Sequence, residues 1–324
     1  MPPTVICLGE CLIDRIFDRY DGDHPQVPFW VDYPGGAPAN VATALAKLGT
    51  PVGFIGCVGP DAQGDRLAQT LSQAGVNCEG LQRSAAAPTR VVLVRRDAQG
   101  ERSFVGFSQA DPTGFADAQL DPEQISPHWF AAADYLVMGT LGLAYPKLQA
   151  SMAKAMQWAQ QYGLATVVDL NWRPQFWPQP ELAPSQIRRW LDQVDILKLN
   201  QAEAQWLFQT PEAEAIQRAL PRAKLVLVTA GAAGCQYATP TWQGQVPAFA
   251  VDCEDTTGAG DSFLAAFIHQ LVRQGRPLLK DLDQLRAAVQ YASAAGALTT
   301  TQAGAMAAQP DAKAVEAFLY LHQL

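Results

Sequence analysis

Short apolar runs alternate with amphipathic helical segments along most of this chain, and that alternation leaves few folds open. Candidate strands are Thr4–Leu8, Val52–Val58, Tyr135–Gly139, Ala165–Leu170, Asp195–Leu199 and Lys224–Thr229. The helices between them carry clean stop signals. Leu67, Leu71 and Ala74 share one face, and Gly75 follows as a C-cap. The segment Leu148–Tyr162 ends at Gly163 in the same way. Strands separated by helices imply parallel βαβ units, with helices on both faces of the sheet.

Two places break the rhythm. Thr89–Arg96 and Arg102–Phe107 flank the turn Asp97-Ala98-Gln99-Gly100 and read as a β-hairpin. The stretch Leu12–Tyr33 lacks a helical period and contains Ile16, Phe17, Val27, Phe29, Trp30 and Val31. Two readings stay open: a pair of surface hairpins, or one small second sheet built from both excursions over one end of the large domain. No repeat, low-complexity tract or flexible linker is visible, and the Pro-rich segment Arg173–Pro184 reads as a loop.

Composition removes several function classes. The 324 residues are 48% hydrophobic and 17% charged, which excludes a disordered chain. The formal charge of −8 argues against a nucleic-acid binder and against a basic membrane-surface protein. It leaves a small anionic ligand possible, because backbone amides also bind anions. No apolar run approaches the roughly 18 residues of a membrane span. The start of the chain shows no secretory signal pattern. None of the 6 cysteines forms Cys-x-x-Cys, and the 4 histidines lack zinc spacing. These features lead us to expect reduced thiols in a cytoplasmic protein.

The most informative stretch is Asp255-Thr256-Thr257-Gly258-Ala259-Gly260-Asp261-Ser262-Phe263. Phe263, Phe267 and Leu271 then make a helix stripe that Gly275 and Pro277 end. The small residues Gly258, Ala259 and Gly260 thus lie just ahead of a helix N-terminus, where unpaired amides and the macrodipole favour a phosphate. Asp261 has two readings: a base that takes a proton from an attacking hydroxyl, or an N-cap after a glycine turn. No Walker A loop and no Gly-x-Gly-x-x-Gly after the first strand occur, so a dinucleotide oxidoreductase is disfavoured. A second cluster, Gly35-Gly36-Ala37-Pro38-Ala39-Asn40, delivers Asn40 to the start of a helix bearing Val41, Leu45 and Leu48. Asn40 suits a sugar hydroxyl or an inward structural role equally well.

Taken together, these residues resemble the ribokinase-like, or PfkB, sugar kinase family. Gly35–Gly49 and Asp255–Phe263 are similar to its two signatures, in order and in separation. Gly9-Glu10-Cys11-Leu12-Ile13-Asp14 resembles its first strand and sugar-binding aspartate. Asn200-Gln201-Ala202-Glu203 resembles its Asn-x-x-Glu motif, and Thr229–Gly234 its nucleotide loop. The tail from Ala294 to Ala305 resembles its adenine-side segment. The Ala-Pro variant of the first signature, and Asp169-Leu170-Asn171-Trp172-Arg173, look most like fructokinases.

The resemblance implies a fold and a set of roles. The fold is an α/β, ribokinase-like three-layer α/β/α sandwich with a small β-sheet lid. Residues 1–11, 34–88 and 109–324 would form the large domain, and 12–33 and 89–108 the lid. Asp261 would be the catalytic base, and Gly258, Ala259 and Gly260 the anion hole. Asp14, Gly35, Gly36 and Asn40 would hold the sugar, with Arg173 reaching substrate or phosphate or else lying solvated on a loop. Asn200 and Glu203 would orient Mg²⁺ and its waters on ATP. Thr229, Gly231, Gly234 and Ser293 would line the nucleotide site, and Asp255 and Thr257 would help bind a monovalent cation such as K⁺. Ser293 departs from an Asn common in relatives, and Ala303 from an Arg or Gly. The implied activity is ATP-dependent phosphorylation of fructose to fructose 6-phosphate. Phosphorylation of 2-keto-3-deoxygluconate or ribose, or a catalytically silent regulatory role, are the alternatives. The implied partners are a sugar and ATP, with a homodimer through the lid.

Overall fold

A computed structural model describes residues 3–20, 28–96 and 102–322. The large sheet has nine strands, in the order β13-β12-β11-β10-β9-β8-β1-β4-β5. These are β1 (Val5–Leu8), β4 (Val52–Val58), β5 (Leu81–Arg83), β8 (Tyr135–Gly139), β9 (Ala165–Asp169), β10 (Ile196–Asn200), β11 (Leu225–Thr229), β12 (Cys235–Ala238) and β13 (Gln243–Val246). From β11 through β5 every pairing is parallel; β12 and β13 add an antiparallel edge. Its central strands are buried on both faces, as helix-covered parallel strands must be. Alternate residues feed two cores: Tyr135 and Val137 join the one around helices Ala37–Lys47, Ala259–Gln274 and Leu282–Thr299, while Leu136 and Met138 join the one around Pro146–Tyr162.

The six expected strands are all present, with ends shifted by a residue at most. β5, β12 and β13 were not expected. β5 is three residues long, and β13 reads Gln-Gly-Gln-Val, so neither offers an apolar run. Helix Ala62–Gln73 ends before Gly75 (φ 93), and Pro146–Tyr162 ends on Gly163 (φ 76), as the stop signals require.

The two excursions form one second sheet. β2 (Leu12–Tyr20), β3 (Pro28–Gly35), β6 (Val91–Arg96) and β7 (Arg102–Phe107) take the order β3-β2-β6-β7. The parallel pairing of β2 with β6 joins them, which excludes two separate hairpins. The expected turn at Asp97–Gly100, and Val27, lie outside the described residues. No helix among those described is long and apolar enough to cross a membrane.

Candidate active site

Helix Ala259–Gln274 opens behind Gly258, whose φ of 78 lies in the left-handed region. A Cβ at Gly258 would stand 2.9 Å from the Ala305 Cα, so the position needs glycine twice over. No side chain caps this end. The amide of Ala259 donates to the Thr256 carbonyl at 3.3 Å, but those of Gly258, Gly260 and Asp261 find no acceptor among the described residues. These are the donors that an anion at a helix start uses. Ala259 and Gly260 belong to the first turn rather than preceding it. Asp261 is the third helical residue, so the N-cap reading does not apply.

What faces Asp261 is the other glycine cluster. Asn40, in the first turn of helix Ala37–Lys47, donates through Nδ2 to Asp261 Oδ2 at 2.8 Å. Its Oδ1 is buried without a partner and is available to a ligand hydroxyl. Gly36 (φ 102) brings the turn against the chain: a Cβ there would lie 2.6 Å from the Glu10 carbonyl oxygen. A Cβ on Gly35 would lie 2.6 Å from Asp14 Oδ2. Asp14 and Gly35 thus lie together at the start of the small sheet, and the turn through Gly36 leads to Asn40, which joins it to Asp261.

A buried charge cluster underlies this point. Lys198 Nζ pairs with Asp169 Oδ2 at 2.7 Å, both side chains almost wholly enclosed. A Cβ on Gly260 would meet that same Nζ at 2.8 Å, which sets the ammonium directly beneath the Gly258–Gly260 turn. Burial, then the Asp169 charge, raise the Asp261 pKa to about 6, against the lowering effect of Lys198, Asn40 and Arg173. Burial also drives Glu10 up to about 8, with Asp117 and Asp261 adding to the rise. Lys198 stays charged: burial opposes its proton, but Asp169, Glu203 and Asp261 outweigh it. Arg173 is exposed and donates to the Trp172 carbonyl at 3.0 Å.

The remaining candidates fall into two groups. Thr229, Gly231, Gly234 and Ser293 line one cleft of about 430 Å³ together with Ala259 and Gly260. The Ser293 Oγ is buried there without a partner. Asn200 and Glu203 instead form a capping box on helix Gln201–Phe208. Glu203 Oε2 accepts from the Asn200 amide at 2.8 Å and Oε1 from the Trp172 amide at 2.7 Å. Asp255 Oδ1 accepts from the Thr257 amide (3.0 Å) and hydroxyl (2.7 Å), and Oδ2 from the Gly304 amide at 3.0 Å, so it fastens the loop ahead of helix Ala259–Gln274 to the tail.

Sequence reasoning gave no role to Glu10, Asp169, Lys198 or Arg90. The signal for Lys198 was a lysine inside the apolar run Ile196–Leu199. Arg90 is fully buried: it binds Asp117 Oδ2 at 2.6 Å and lies 4.6 Å over the Phe115 ring, fixing the base of the small sheet. Nothing in a Thr-Arg pair ahead of a strand announces that.

Comparison with known proteins places this geometry. Residues 3–312 match the pfkB family carbohydrate kinase model. Over 311 residues the chain is 34% identical to fructokinase-2 of Solanum lycopersicum, covering 95% of this chain and 93% of the relative. The crystal structure of Xylella fastidiosa fructokinase with bound ATP superposes with a TM-score of 0.90 at 30% identity, covering 100% of both chains. Vibrio cholerae O395 fructokinase, in a fructose, ADP and calcium ion bound form, gives 0.83 at 30% identity over 98% of this chain and 99% of its own. A double mutant of that enzyme was solved with fructose, ADP and a potassium ion. The chain belongs to the pfkB family of carbohydrate kinases, phosphotransferases whose acceptor is an alcohol group.

Proposed function

We propose that this chain transfers the terminal phosphoryl group of ATP to the primary hydroxyl of D-fructose, giving fructose 6-phosphate. The observation that carries the reading is the 2.8 Å bond from Asn40 to Asp261, which joins a hydroxyl-binding turn and an anion-binding turn around one carboxylate. Asp14, Gly35, Gly36 and Asn40 hold the sugar, with Arg173 at the rim. Asp261 takes the hydroxyl proton as the oxygen attacks phosphorus, its elevated pKa of about 6 making it a better proton acceptor than an exposed aspartate. The amides of Gly258, Ala259 and Gly260, with Lys198 below them, oppose the charge that develops on the phosphoryl oxygens. The fructokinases named above support fructose over the alternatives.

The nucleotide fits the cleft beside Thr229, Gly231, Gly234 and Ser293, where a buried hydroxyl lacks a partner. The donor set also speaks to the metal. No group of three or more His, Cys, Asp or Glu side chains among the described residues makes a cage. Both Glu203 oxygens already accept an amide but keep lone pairs, which suits Mg²⁺ held by phosphates and waters, with Asn200 and Glu203 beyond the waters. When bound, Mg²⁺ neutralises phosphate charge. Asp255 and Thr257 mark the place for K⁺, which would add positive charge behind the anion hole. Residues 12–33 and 89–108 act as a lid over a large domain of 1–11, 34–88 and 109–324, excluding water from the transfer. The outer strands of the small sheet offer edges through which two copies pair.

ADP release measured by a coupled assay across fructose, ribose, 2-keto-3-deoxygluconate and nucleosides tests the substrate. Fructose should give the highest kcat/KM, and a higher value for any other acceptor overturns the choice. No turnover on any of them favours a silent regulatory protein.

A further inference from the structure

A separate concavity lies at the opposite end of the sheet from Asp261. Tyr135, Ala165 and Ile196, which line it, are the first residues of β8, β9 and β10, whereas Asp169 and Asn200 are the last of β9 and β10. Four strand rises of about 3.3 Å set the two ends roughly 13 Å apart. The cavity measures about 710 Å³ and shares no residue with the nucleotide cleft. An occupant there is neither the sugar nor the nucleotide.

Its lining is specific in two respects. The walls are apolar and aromatic: Leu271 and Leu279 lie beside Tyr135, and the Trp242 indole stands at the mouth, still 41% exposed. The turn carrying Trp242 is braced, since its amide donates to Thr239 Oγ1 at 2.9 Å and its carbonyl accepts the Thr239 amide at 2.7 Å. An indole carried on that turn and left partly exposed at a cavity leaves flat apolar surface uncovered. The rim is cationic. Lys224 is matched by Asp195 at 2.9 Å. Arg276 gives Nη2 to the Gly163 carbonyl at 2.7 Å, and neither it nor Lys280 has a carboxylate within ion-pair distance among the described residues. Two unmatched cations thus stand beside an aromatic wall, on a protein whose net charge is −8.

We propose that this cavity binds a small aromatic anion, a flat apolar body carrying one carboxylate, phosphate or sulfonate group. The ring stacks on Trp242 and fills the apolar walls, while Arg276 and Lys280 meet the acidic group.

The probe is 8-anilinonaphthalene-1-sulfonate, followed by fluorescence on the full chain with saturating ATP present. One molecule should bind per chain and remain bound under ATP. The double substitution Arg276→Gln and Lys280→Gln should weaken it by about tenfold, as should Trp242→Ala. Sugar phosphorylation should be unchanged in both variants, which verifies the fold. N-phenyl-1-naphthylamine, the same rings without the sulfonate, should bind alike to the parent and the charge variant. Displacement of the probe by ATP, or equal affinity in the parent and both variants, overturns the proposal. Should either variant fail to fold, Lys280→Gln alone alters one exposed side chain, and an unchanged affinity for the sulfonate there also overturns it.

Discussion

Helices Ala37–Lys47 and Ala259–Gln274 both start behind a glycine of positive φ with no side-chain cap, and they are finished differently. At Ala37–Lys47, Glu10 Oε1 takes the Ala37 amide at 3.1 Å and Pro38 has no N–H; the fourth residue of each helix, Asn40 or Ser262, returns its amide to the glycine carbonyl at 2.8 Å. At Ala259–Gln274 the amides of Gly258, Gly260 and Asp261 are left without acceptors among the described residues. A carboxyl group already fills the first positive pole, so that end has room for neutral hydroxyls. The second pole is open to an anion. Helix Gln201–Phe208 is the limiting case, closed by a full capping box. Equivalent helix starts therefore acquire different chemistry from one acidic side chain placed across from them.

The open pole should break first. Asp261→Asn keeps the bond to Asn40 within reach but removes the proton acceptor, and kcat should fall by about 10²–10⁴-fold in the coupled assay. Near-normal turnover would remove Asp261 from the chemistry. Lys198→Met should act on both stability and rate. It leaves Asp169 buried and unpaired, a loss of about 3–5 kcal/mol in urea unfolding. The double variant Lys198→Met and Asp169→Asn should recover much of that stability without recovering the rate.

Why Lys198 escaped the sequence reading is instructive. Lys198 and Asp169 are register partners on β10 and β9, 29 residues apart. Strand composition locates each strand but cannot give the register of two parallel neighbours, so the pair exists only in three dimensions. Glu10 is similar: its target amide lies 27 residues on, across a sheet junction. The glycines were legible because their reason is local. Gly36 and Gly258 need positive φ, and a small residue next to an apolar helical stripe reveals that in sequence. β4 and β8 were legible to the residue because both faces are covered and the run is unbroken. β12 and β13 were not, because an antiparallel edge tolerates polar residues that erase the pattern.

Glycine substitutions sharpen the contrast at a smaller scale. Gly36→Ala forces a Cβ to 2.6 Å from a backbone oxygen at φ 102, neither of which can yield cheaply. A loss of about 1–3 kcal/mol, read as a lower Tm, and a higher KM for the sugar should follow. Gly260→Ala meets only the far end of the Lys198 side chain, Nζ at 2.8 Å, and its own φ is not left-handed. Its Tm should move less than that of Gly36→Ala, while kcat should fall further. The reverse order would mean that the two turns are not distinguished by their surroundings.

The smallest expected effect isolates the acid that closes the first pole. Asp261 titrates at about 6, so log kcat/KM should rise with unit slope below that pH and level off above it. Glu10 titrates at about 8, so at neutral pH it is largely protonated and adds little charge beside Asp261. Its folded pKa stands above the unfolded one. The folded state therefore holds a proton that the unfolded state releases, and this stabilisation declines as pH rises from the ordinary carboxylate range through about 8. Above that pH an ionised Glu10 also repels the Asp261 carboxylate and an incoming phosphate. Glu10→Gln keeps an acceptor for the Ala37 amide but cannot ionise. Its Tm should be nearly flat across this window where that of the parent falls, and its kcat/KM should lose the parent's modest decline above pH 8. If the parent shows no such decline, Glu10 is ionised throughout, and the first pole differs from the second by a full charge rather than by a neutral acid.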